Sequence, residues 1–141
     1  MFELGKKLRQ SPLTIHLAVK LLDRVFSLCG DITPTSHDLV ANGCILLAAK
    51  FEELDMNIPM VIDFQIANKF KISYHQIKGV EQELLTLLDF DLMALTPLHF
   101  LKQLYASGLL LSTDAKATQR DISEKTLVKC KKYAFFLCDS I

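Results

Sequence analysis

The chain has 141 residues, carries 16 basic and 16 acidic side chains, and is 50% apolar. That length suits one domain, or one domain and part of a second, with enough apolar surface to bury a core. Zero net charge speaks against nucleic acid as the main partner, since phosphate binding needs a surplus of Lys and Arg. A mean hydropathy of +0.26 implies a sticky surface that something else covers. No wholly apolar run is longer than the six residues of Cys44–Ala49, far too short to span a bilayer, so no membrane partner is expected. The opening MFELGKKLRQ has no apolar stretch of the secretion-signal kind. Cys29, Cys44, Cys130 and Cys138 form no CxxC pair and read as reduced thiols of a nuclear or cytoplasmic protein.

In chain order, residues 1–10 read as a polar lead-in. Ser11-Pro12 is an N-cap followed by proline at the first helical position. It opens a helix expected over 13–28, with Ile15, Leu17, Ala18, Leu21, Leu22, Val25 and Phe26 spaced for a broad apolar face. Gly30 ends it, and DITPTS connects to the next. That next helix, expected over 36–53 with a cap from Thr35 or Ser36, is the centre of the fold. Ten of the thirteen residues from Leu39 to Phe51 are apolar, and no face of the helical wheel is left polar. Such a helix is buried among other helices. Lys50 stands on the side of Gly43, Leu46, Leu47 and Leu54, a charge rising out of apolar ground.

Ile58-Pro59 begins a shorter helix expected over 58–69. Ser73-x-x-Gln76 is a capping box for a helix over 74–88, with Ile77, Val80, Leu84, Leu87 and Leu88 as its stripe. Thr96-Pro97 starts a helix over 97–107, STDAKATQRDISE reads as a linker, and a last helix is expected over 122–138. Nothing reads as a strand. The fold class is therefore all-α, a helical bundle around the central buried helix at 36–53. No chemistry-bearing motif accompanies it. His16, His37, His75 and His99 lie far apart, there is no glycine-rich phosphate loop, and the acids show no paired-carboxylate spacing. No catalytic residue, metal site or cofactor is expected.

Four blocks, in one order and spacing, resemble the cyclin box, the five-helix module of the cyclins that activate Ser/Thr protein kinases. HLAVKLLDRVFS (16–27) is similar to the family's LAVxxLDRF, and LLAAKFEE (46–53) to its LLASKxEE. GVEQELLTLLDFDL (79–92) is similar to MExxILxxLxFxL, and TPLHFL (96–101) to PTPxxFL. The resemblance covers residues 11–101 and thins beyond. It implies an N-terminal cyclin box at 1–95 and the incomplete beginning of a second cyclin fold at 96–141. It also implies a regulatory subunit, with no catalytic group of its own, for a cyclin-dependent Ser/Thr kinase.

The resemblance places the kinase contact on named residues. Lys50 and Glu81 fall where the family's lysine and glutamate hydrogen-bond the backbone of the kinase's activation-helix region. Leu47, Phe51, Leu85 and Leu92, with Phe90 alongside, fall on the family's apolar pocket for a kinase-helix isoleucine. Lys50 and Glu81 are thus expected to sit on one surface with exposed tips, not fully engaged by side chains of the chain itself. Reversing either charge should abolish binding without changing helical content. Asp23 and Arg24 are expected to be structural, because the family pairs that aspartate with an arginine of its first helix. That first helix, with its MRxxLxxWL signature, has no counterpart ahead of Leu13. Asp23 should therefore lack its partner, and apolar faces of the helices at 13–28 and 36–53 should lie open, as in a fragment, a splice product or a trimmed cyclin. The alternative function is a cyclin-fold adaptor or scaffold, of the transcription-factor or pocket-protein type, with no kinase partner.

Overall fold

The computed structural model of the chain describes residues 1–30, 34–107 and 124–139, and every element among them is helical. In order these are α1 (Phe2–Lys7), α2 (Pro12–Leu28), α3 (Pro34–Glu52), a 3-10 turn (Asp55–Asn57), α4 (Val61–Ala67), α5 (Tyr74–Leu87), α6 (Pro97–Ala106) and α7 (Glu124–Asp139). Two compact units divide them, Met1–Ala94 and Leu95–Ile141.

In the first unit, α3 is the axis. Its run Cys44–Ala49 is buried without interruption, between α2 on one side and α5 on the other. This is what a helix apolar on every face requires. Leu17, Leu21 and Val25 of α2, with Ile77, Val80 and Leu84 of α5, close the core around it. Burial pushes the Cys44 thiol up to about 12. Two polar ties fix the neighbours of α3. Asn42, fully buried, accepts at 2.7 Å from Asn68 Nδ2 at the end of α4, and the same Nδ2 reaches the Phe64 carbonyl at 2.7 Å. Glu53, just past α3, accepts from the Thr14 hydroxyl and from the Ser11 amide (2.8 Å), so it pins the start of α2. Partial burial pushes the Glu53 carboxyl up. Hydrogen bonds from Thr14, Ser11 and Asn57 outweigh that and hold it below its ordinary value.

The helix starts expected at Ser11-Pro12, Ser73 and Thr96-Pro97 are found, with Ser11 Oγ accepting from the Thr14 amide and Ser73 Oγ from the Gln76 amide. Three local expectations are corrected. Residues 1–10 are not a polar lead-in: Phe2–Lys7 is helical, and Met1, Leu4 and Leu8 pack against the core. Six residues do not hold a helix by themselves, so this one exists through its packing. Gly5 permits that packing, since a Cβ there would meet the Ile15 side chain at 2.5 Å. The apolar faces expected to lie open on α2 and α3 are accordingly mostly closed. Second, α3 begins at Pro34 rather than 36, using proline's preset φ at the first helical position. Third, α4 begins at Val61 rather than 58, because Asp63 Oδ2 accepts from the Met60 amide (2.8 Å) and caps the helix there.

In the second unit, α6 and α7 meet through Tyr105 and Phe135, whose rings stack with centroids 6.1 Å apart. Lys131 Nζ lies 5.2 Å from the Tyr105 ring centre. Val128, Tyr133, Phe136 and Leu137 of α7 are exposed. The expected linker, up to Ile122 and Ser123 at the start of the last helix, lies outside the described residues, as does the Asp31–Thr33 part of the DITPTS connection.

Candidate functional site

The site is built by a close approach of α3 and α5. At Gly43 a Cβ would meet Leu84 Cδ1 at 2.6 Å and Val80 Cγ1 at 3.0 Å, so glycine lets the two helices come this near with those side chains where they stand. Lys50 lies seven residues, two helical turns, further along the same face. Glu81 lies beside Val80 on α5. The short interhelical distance brings the two charges together: Lys50 Nζ donates to Glu81 Oε1. A second ammonium, Lys78 Nζ, donates to Glu81 Oε2 at 3.3 Å from one turn earlier on α5. The Glu81 side chain is 8% exposed, while those of Lys50 and Lys78 are 41% and 44% exposed.

The expectation of exposed tips holds for Lys50, which is 41% exposed although paired, and fails for Glu81. Glu81 is buried and paired twice within the chain. The physical reason is that a carboxylate taken out of water is costly unless it is paired and hydrogen-bonded. Lys50→Glu would set a second carboxylate against a buried one, so it would disturb the fold as well as any partner. Lys50→Met removes the charge and keeps the stem.

The expected apolar surround divides by depth. Leu47 is 1% exposed and supports the surface from beneath. Leu85 and Leu92 are half-buried against the core, while Phe51 and Phe90 are 50% and 72% exposed. Phe90 is presented by an unusual turn. Asp89 and Phe90 both have left-handed backbones, φ 52° and 57°, without glycine. The Phe90 amide closes α5 by donating to the Leu85 carbonyl at 2.9 Å. Arg24 of α2 clamps the next residue, donating to the Asp91 carbonyl at 2.7 Å and to Asp91 Oδ2 at 3.2 Å. Arg24 thus holds the turn that displays Phe90 and Leu92. Asp23 is exposed and has no ion-pair partner among the described residues.

On the α4 side, Lys50 and Lys78 share a groove of about 540 Å³ with Leu46, Pro59, Ile62 and Tyr74. Reasoning from sequence missed Lys78 and this groove. Two signals were present. Lys78 and Glu81 have the i,i+3 spacing of a helical ion pair. Ile62 and Ile66 lie one turn apart, across α4 from its single buried residue, Phe64. Among the described residues no group of three His, Cys, Asp or Glu side chains could hold a metal, and no helix is long and apolar enough to cross a membrane.

Comparison with known proteins gives this geometry its family. The cyclin N-terminal domain model matches residues 1–93. The chain is 31% identical to cyclin-A2 of Gallus gallus over 139 residues, 97% of this chain and 34% of that protein. It is 30% identical to G2/mitotic-specific cyclin-A of Hydra viridissima over 138 residues, 95% of this chain and 32% of that one. Cyclin-D1-1 of Arabidopsis thaliana is 38% identical over 94 residues, 64% of this chain and 27% of the relative. The chain spans about a third or less of the length of these curated relatives. With a family match across 93 residues and relatives of both A and D type, the chain belongs to the cyclin family and carries a cyclin box.

Proposed function

We propose that this cyclin is a regulatory subunit that binds and activates a cyclin-dependent Ser/Thr protein kinase through the α3–α5 surface. The observation that carries the reading is a half-exposed ammonium, Lys50, on α3 together with exposed Phe51 and half-buried Leu85 on α3 and α5 and with exposed Phe90 and half-buried Leu92 in the turn after α5, all within the segments that bear the cyclin signature. An apolar anchor site beside a charge that fixes register is the design of a helix-in-groove contact. The Lys50 side chain is 41% exposed, so its ammonium can turn toward backbone carbonyls at the end of a partner helix. Activation on this reading is a population shift. The cyclin binds the kinase conformation whose helix is turned inward, and there the kinase's own Lys–Glu pair forms. The cyclin contributes no reacting group. Residues 96–141 are, on the same reading, the beginning of a second cyclin fold, and the protein acts in the nucleus, the cytoplasm or both.

The test is calorimetric titration of the chain and of Lys50→Met against a panel of cyclin-dependent kinases. Losing a desolvated charge contact costs about 2–5 kcal/mol, roughly a 30-fold to several-thousand-fold loss of affinity. Binding by the wild type and a loss of that size in the variant support the reading. A wild type that binds none of the kinases would leave the adaptor reading in its place.

A further inference from the structure

We infer that Lys78 is a positioning residue that frees Lys50 for the partner: it holds Glu81 whenever the Lys50 ammonium is withdrawn. The inference concerns the same surface and, for its binding arm, rests on the kinase-binding reading. Glu81 Oε1 takes Lys50 and Oε2 takes Lys78, so the two ammoniums do not compete for one oxygen. The carboxylate is buried, whereas both lysines are nearly half exposed and line one groove. In a pair made of Lys50 and Glu81 alone, moving Lys50 to a partner's carbonyl would strand a buried charge, which opposes the move. With Lys78 on the second oxygen, Glu81 stays compensated and Lys50 can turn outward at small cost. The arrangement also leaves two positive charges against one negative. The groove therefore keeps a surplus cation that suits the carbonyl end of a helix or an acidic side chain.

The first arm of the test uses the free chain and no kinase. Lys50→Met and Lys78→Met should each lower the melting temperature by no more than about 3 °C, because one ammonium still serves Glu81. The double variant should lose about 10 °C or more, well beyond the sum. Adding Glu81→Gln to the double variant should recover most of that loss, and this arm holds even if the double variant is too unstable to purify. Additive small losses, or no recovery with Glu81→Gln, would overturn the inference.

The second arm measures kinase affinity. Lys78→Met should weaken binding about 10-fold, since Lys50 is then tied to Glu81, and Lys78→Arg should bind like the wild type. Unchanged affinity in Lys78→Met beside an intact non-additivity would overturn the freeing role. A wild type that binds no kinase at all would sink the functional reading instead, and the free-chain arm would still decide whether Lys78 holds Glu81.

Discussion

The contact between α3 and α5 has two ends built on opposite principles. At the Gly43 end, Leu84 and Val80 close on a bare backbone, and both side chains are buried. At the Lys50 end, two half-exposed ammoniums bracket a buried carboxylate beside a groove open to solvent. One end maximises packing and the other keeps charge near the surface. The difference separates what sets the helix geometry from what faces solvent. The apolar end fixes the angle and distance of the helices, and that geometry determines which charges meet two turns away. The charged end keeps two ammoniums near the surface, where the proposed function puts the partner's contact.

This contrast can be broken from either side. The largest stability effect should come from the apolar interior: Leu47→Ala is expected to cost about 2–5 kcal/mol in denaturant unfolding, through a cavity beneath the site. A loss below about 1 kcal/mol would show that Leu47 is not core. Next is Gly43→Ala, expected to cost about 1–3 kcal/mol by overpacking against Leu84 and Val80. Where α3 and α5 move apart to admit the methyl group, the variant should also weaken the Lys50–Glu81 pair; where the Leu84 side chain alone gives way, the pair should be kept. Full retention of stability would mean the close approach is relaxed in solution.

A smaller effect, with a definite sign, belongs to Glu53. Its carboxyl is held below the ordinary value when folded, so its contribution is fully present above the unfolded carboxylate's pKa of about 4.5. It is lost as pH falls through the lowered folded value. Thr14→Val removes the leading lowering hydrogen bond without changing shape. The variant should be less stable than the wild type at pH 7, and the gap should narrow below about pH 4. A gap that is constant with pH would mean the hydroxyl matters only as packing.

Much of the fold was legible because it rests on local chemistry. The all-apolar wheel of α3 fixed its burial, and Ser11-Pro12, Ser73-x-x-Gln76 and Thr96-Pro97 marked helix starts that the structure uses. What failed depended on tertiary contact. The helix at Phe2–Lys7 exists because Gly5 lets Ile15 approach, and no six-residue window carries that information. The start of α4 is the exception: it moved for a local reason, because Asp63, three residues on from Met60, caps the helix. At the site, Lys50 and Glu81 could each be picked out, but not that they meet. Thirty-one positions separate them, and their pairing follows from the helix register that Gly43 sets. Lys78 was overlooked although its spacing to Glu81 was in plain view, because its meaning depends on Glu81 being buried.

The measurement that bears most directly on the division of labour pairs two variants in one protein, Gly43→Ala and Lys50→Met, each assayed for unfolding free energy and for affinity to the kinase that binds the wild type. The account predicts that the effects separate. Gly43→Ala should lose stability by about 1–3 kcal/mol, and Lys50→Met should keep stability within about 0.5 kcal/mol while losing at least about 30-fold in affinity. A Lys50→Met variant that loses stability and binds as well as the wild type would contradict it, making the charged end part of the scaffold and leaving the partner's contact to be found elsewhere.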